Sequence, residues 1–191
     1  MKIRKVVIVW LLILGTVLAV LPAIAIAQEW KVPITFISGN TKIKLEFGTN
    51  VSATRGFDEE IDLPLPPLGM GQKKYAYFNI SEYEKNEDVQ KLYKDYRPLI
   101  NQSNSEEVWK LHLKSDEKIH LKWDTSNVPC LITLTMKIGS KTIDMKQESS
   151  YTLEAGEYVI YITACYNVSD RIPPKIYNIR PIEDIYTPLY P

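Results

Sequence analysis

Four carboxylates crowd five consecutive positions of the stretch GFDEEIDLPLPP: Asp58, Glu59, Glu60 and Asp62, followed by Pro64, Pro66 and Pro67. Calcium takes six or more oxygen ligands from a flexible loop, and these four side chains supply the right kind of oxygen. Their spacing lacks the alternation of an EF-hand loop, so a calcium site is one reading. The other makes Asp58, just after Gly56-Phe57, a turn residue whose carboxylate bonds the backbone. Two histidines, His112 and His120, lie in VWKLHLKSDEKIHLKW. If this segment is a hairpin with a three-residue loop at Ser115, Asp116 and Glu117, then Trp109 faces Trp123, Leu111 faces Leu121 and Leu113 faces Ile119. A two-residue loop would pair apolar with polar side chains. The same register sets His112 opposite His120 on the outward face, within the ~4.5–5.5 Å Cβ separation of a cross-strand pair. Their neighbours are lysines, which repel a cation, so two solvated histidines are the preferred reading. Every serine lacks a G-x-S-x-G context and no glycine-rich loop could cradle phosphate. A carboxylate pair for glycoside hydrolysis depends on a distance that spacing does not give. A non-enzymatic protein is expected, with no cofactor unless calcium binds.

The beginning of the chain bounds the setting. Lys2, Arg4 and Lys5 precede the apolar run VVIVWLLILGTVLAVLPAIAIA, and the small residues of AIA stand before Gln28. This is the pattern of a secretory signal peptide cleaved after Ala27. The run is also close to the ~20 residues that span a bilayer, so an uncleaved anchor is the alternative for residues 1–27. Both place the rest of the chain outside the cytoplasm, with the membrane reached only through that segment. Basic and acidic side chains number 23 each, and three of the basic ones lie in the leader. The exported part is therefore mildly acidic, which argues against a nucleic-acid partner.

The two cysteines, Cys130 and Cys165, form no C-x-x-C pattern. In an oxidising compartment such a pair predicts a disulfide, worth roughly 3–4 kcal/mol for a loop of this size. N-x-S/T sequons at Asn50, Asn79, Asn101 and Asn167 mark glycosylation sites at turns or strand ends.

The chain around these residues reads as strands. KVPITFIS, KIKLEFG, KYAYFNI, VWKLHLK, KIHLKW, CLITLTMKI, KTIDMK, SSYTLE and EYVIYITAC alternate with period two between turn residues. The spacing predicts an all-β protein built as an antiparallel sandwich over 28–166. One insertion, about 81–100, carries Val89, Leu92 and Tyr96 at helical spacing and predicts a short helix or a structured loop across one edge. The last residues, 167–191, hold five prolines among isoleucines and tyrosines, the composition of an extended tail.

The succession FGTNVSATRGFDEEIDLPLPP, YFN, DYR, WKLHLKSDEKIHLKW and MKIGSKTIDMKQESSYTLEAGEYVIYI resembles an accessory β-sandwich module of exported prokaryotic proteins. In that module an FG…AT-x-G-x-D…D-x-P-x-PP segment precedes a W-x-L-x-V…L-x-W hairpin and a DM…SYT pair. The resemblance spans Phe47 to Ile162. It implies an immunoglobulin-like sandwich, an extracellular setting and no chemistry of its own, and it makes the acidic stretch a turn and strap.

Two functions are then expected. The first is a secreted or cell-surface structural protein acting on other surface proteins or copies of itself, as an envelope component, adhesin or filament subunit. The tail would serve by adding a strand to a partner sheet. The second is a polysaccharide- or calcium-dependent ligand-binding module. Trp109 and Trp123 are committed to the core by the hairpin register, which leaves Trp30 to stack on a sugar ring.

Overall fold

The computed structural model describes residues 28–67, 69, 71–101 and 106–167; the leader and the tail beyond Asn167 lie outside them. The strands are β1 (Trp30–Ser38), β2 (Thr41–Thr49), β3 (Leu63–Pro64), β4 (Tyr75–Asn79), β5 (Lys91–Arg97), β6 (Glu106–Ser115), β7 (Ile119–Trp123), β8 (Ile132–Ile138), β9 (Lys141–Asp144), β10 (Ser150–Leu153) and β11 (Gly156–Tyr166). All-β is thus the architecture.

The strands form one sheet in the order β10-β7-β1-β2-β5-β4-β6-β11-β8-β9, with β3 beside β5. Period-two alternation explains how it folds on itself, since successive side chains leave opposite faces of a strand. Trp30, Val32, Ile34 and Phe36 of β1 point inward with Trp109, Leu111 and Leu113 of β6 and Ile119, Leu121 and Trp123 of β7. Curling brings these faces together. Trp109 lies 5.8 Å from Trp30 and 5.0 Å from Phe47, which lies 5.8 Å from Phe78, all ring centroid to centroid. Aromatic groups in such tilted contacts dominate core energetics.

Two tight hairpins fix the register. β1 and β2 turn at Gly39-Asn40 and β8 and β9 at Gly139-Ser140, with positive φ at Gly39 (54°) and Gly139 (57°). Glycine adopts that conformation without steric cost.

Three expectations are corrected here. The sheet is mixed, because β2 and β5 run parallel from Glu46↔Lys94 to Thr49↔Arg97. The long connection between them, which carries β3 and β4, makes a parallel pairing reachable. Second, the 81–100 segment holds a single 3₁₀ turn, Glu87–Val89, and then β5 in the interior of the sheet. Leu92 is fully buried there; a short apolar run satisfies helical and strand spacing alike, and the neighbours on both sides decided. Third, β6 and β7 do not pair. β6 lies between β4 and β11, while β7 lies between β1 and β10. The inward and outward assignment of every residue in the segment is as the alternation predicts, yet the loop crosses from one side of the curl to the other.

The ends of the sheet meet through residues 145–149. Met145 N–H donates to Leu134 O at 2.9 Å, and Trp123 N–H donates to Ser149 O at 2.9 Å. The Trp123 indole N–H reaches both Met145 O (2.9 Å) and Glu148 O (2.8 Å). Both edge strands are thereby tied to the body.

Candidate functional site

The acidic stretch folds as a strap against β5. Asp58 O accepts the N–H groups of Ile61 (2.9 Å) and Asp62 (2.8 Å), closing one turn. The Asp58 carboxylate accepts Thr54 N–H and its hydroxyl (3.1 Å). Asp62 is buried, and its two oxygens accept the N–H groups of Asp58 and Tyr96, both at 2.9 Å. Two of the four carboxylates therefore satisfy backbone donors, while Glu59 and Glu60 are exposed. Among the described residues no group of three or more His, Cys, Asp or Glu side chains converges to hold a metal. The turn reading of Asp58 is the geometry found.

Beneath the strap lies a cluster that local spacing did not reveal. Asp95 and Arg97 of β5 and Glu107 of β6 are all buried. Arg97 Nη2 donates to Asp95 Oδ2 at 2.8 Å and Nη1 to Arg55 O at 3.0 Å. Arg55 forks onto Glu107 through Nε (3.1 and 3.2 Å) and Nη2 (2.8 Å). Burial pushes Asp62 up to about 6, the backbone N–H bonds and Arg97 opposing it only in part. Burial likewise raises Asp95 to about 7 despite its Arg97 partner. The one sequence hint was DYR within a strand, two opposite charges at i and i+2 on the inward face.

The strap also forms one wall of a groove of about 510 Å³, with Lys31, Glu46, Lys94 and Tyr96 on the other walls and Asn50 at its rim. Glu46 sits between Lys31 Nζ and Lys94 Nζ, each 3.6 Å away, and accepts the Tyr96 hydroxyl at 2.7 Å. Burial alone would raise Glu46, but the Tyr96 hydroxyl and the two ammonium groups hold it below the usual carboxylate range. Burial and the bond to Glu46 push Tyr96 upward. The groove thus presents fixed charges, an aromatic edge and amides to solvent.

Trp30 does not serve as an exposed stacking platform. It is 4% exposed and packs edge-on against Phe47 and Trp109. Extending the alternation of KVPITFIS by one residue puts Trp30 in phase with Val32 and Ile34, a signal available in the sequence. Trp30 reaches the groove only as part of its lining, and Tyr96 is the more exposed aromatic residue there.

Both cysteines are free thiols. Cys165 stands opposite Thr133 on β8, while Cys130 lies before that strand, in the turn that Ile132 N–H closes onto Pro129 O. The expected bridge is thereby corrected.

His112 and His120 are on different strand partners. His112 stacks on Tyr77 at 5.4 Å with its Nε2 buried, and burial together with Lys110 lowers its proton affinity. His120 shares a 2.9 Å hydrogen bond with Thr152.

All four sequon asparagines are partly exposed at strand ends or in the adjoining turns. Asn50 Oδ1 accepts Ser52 N–H and Asn79 Oδ1 accepts Ser81 N–H, both at 2.9 Å. Register puts Gln28, Asn50 and Asn101 at one pole, where β1 begins and β2 and β5 end, and the contacts of Trp30 with Trp109 and of Arg55 with Glu107 bring the start of β6, and with it the end of β11 before Asn167, to the same pole. Both described chain ends therefore leave from the pole that carries the groove.

No helix of the described residues is long and apolar enough to cross a membrane. No protein-family model, curated protein or solved structure matches the chain.

Proposed function

We propose that this protein is an exported, non-catalytic surface component that assembles through protein contacts, built on a variant of the immunoglobulin-like sandwich. Its leader directs export or anchors it, and glycans occupy the sequons. The observation that carries the assembly reading is the pair of sheet edges that no further strand covers among the described residues. β9 and β10 end the sheet on either side and share a slot of about 290 Å³ lined by Lys141, Ile143, Gln147, Glu148 and Tyr151. An unpaired edge presents N–H and C=O groups that template another strand. The occupant is the isoleucine- and tyrosine-rich segment beyond Asn167 from a second copy, which would add by strand pairing. Lys141, whose ammonium lies 4.4 Å from the Tyr151 ring centroid, guards the slot against indiscriminate pairing.

Light scattering and negative-stain microscopy of the protein, with and without residues 168–191, test this. Ordered assemblies that disappear on truncation are expected; a monomer in both forms refutes it. A second reading, saccharide binding, rests on the polar groove with Tyr96 on its wall. It predicts chemical-shift changes at Lys31, Lys94 and Tyr96 on titration with polysaccharide fragments, lost in Tyr96→Ala.

A further inference from the structure

Charge counting beneath the strap does not close. Among the described residues, three buried carboxylates, Asp62, Asp95 and Glu107, meet two guanidiniums. Arg55, half exposed, is forked onto Glu107. Arg97, 1% exposed, remains to balance both Asp95 and Asp62. Its guanidinium carbon lies 4.9 Å from the centroid of the Tyr83 ring. Asp95 Oδ1 and Arg97 Nε are buried without a hydrogen-bond partner.

A second uncompensated negative charge in such a place is costly, and a group so placed takes up a proton instead. The titratable neighbours are Arg55 and Asp58 from the strap, Glu107 from β6, and Tyr83 and Glu84 from the turn after β4. On β2 the residue opposite Asp95 is the apolar Phe47. Asp62 spends both oxygens on backbone N–H groups, which favour its charged form. Asp95, with one oxygen bare, is the better place for the proton.

We propose that Asp62, Asp95 and Arg97 form a proton-holding latch: the folded protein carries one extra proton, held on Asp95, and the packing of the strap on β5 grows more stable as the surroundings acidify. The latch lies directly behind the groove, because Asp62 ties Tyr96 and the turn bearing Glu60 and Ile61 together.

The sign follows from proton linkage. Both carboxylates bind protons more tightly folded than unfolded, with folded values of about 6 and about 7 against 3.8. Between these limits the folded state holds more protons, so stability rises as pH falls from 7 toward 4. His112 opposes this, since its lowered affinity makes it destabilising as pH falls below 6.5. Comparison with variants separates the two.

The test is carbon-13 NMR titration of the aspartate carboxyls in the full-length protein, with thermal unfolding from pH 8 to pH 5. Expected are one carboxyl titrating above pH 5.5, at least about fiftyfold higher in proton affinity than an ordinary aspartate, and a wild-type pH dependence that Asp95→Asn flattens. Aspartates that all titrate below pH 5, or a variant whose profile runs parallel to wild type, overturn the proposal. If Asp95→Asn does not fold, the wild-type titration decides alone.

Discussion

At the scale of single residues, close contacts matter more than residue class. Gly48 has an ordinary extended backbone, but a Cβ there would stand 2.1 Å from Trp30 O and 2.9 Å from Lys31 Cα. Neither neighbour is a flexible side chain, so the β1–β2 ladder would have to shift. Gly48→Ala should therefore cost about 1–3 kcal/mol in urea unfolding, the range for overpacking. Asp62→Asn should cost about the same for a different reason. One of its two accepting oxygens becomes a donor facing a buried N–H, and an unsatisfied buried group costs ~1–3 kcal/mol. Urea unfolding at pH 7 to 8, where the Asp62 carboxylate is charged, measures it; no loss there would contradict the assigned hydrogen bonds.

The elements show which contacts hold the sheet. β5 pairs with β2, β3 and β4, so one short strand links the two halves of the curl. Leu92 is its fully buried apolar anchor. Leu92→Ala should destabilise by about 2–5 kcal/mol, the range for emptying a packed site, and the urea transition measures it. A surface helix over the same residues would lose far less. The segment illustrates what local reading can reach: Val89, Leu92 and Tyr96 at helical spacing and Leu92 on a strand face are both consistent with VQKLYKDYR. In VWKLHLKSDEKIHLKW the alternation correctly sorted Trp109, Leu111 and Leu113 inward and His112 outward, because faces depend on the chain's own pleat. Partners depend on other strands, and so β6 and β7 were assigned to each other when they belong to opposite sides.

For the molecule as a whole, closure depends on the 145–149 connection, where Trp123 holds both ends of the sheet through its indole N–H. Trp123→Phe keeps most of the apolar volume and removes that donor. Hydrogen exchange should then quicken at the Met145 and Trp123 amides, which span the connection, while the β1–β2 amides stay protected. Uniform loss of protection would mean that the connection is not a local clasp. The same view explains why the acid cluster escaped notice. Asp62, Asp95, Arg97 and Glu107 come from three separate stretches, and each alone reads as a surface charge.

The sequence by itself determined the all-β character, the inward faces of Trp109 to Leu113 and of Ile119 to Trp123, and the placing of the sequons at turns or strand ends, and it offered the turn role of Asp58 as one of two readings. These are set by alternation and by turn chemistry, both properties of neighbouring residues. The tertiary structure alone decided which strands pair, that one pair is parallel, that Cys130 and Cys165 are not bridged, that Trp30 packs against Trp109, and that among the described residues buried acids outnumber the arginine between them. Each of these depends on the distance between residues far apart in the chain, and that distance exists only once the sheet has curled.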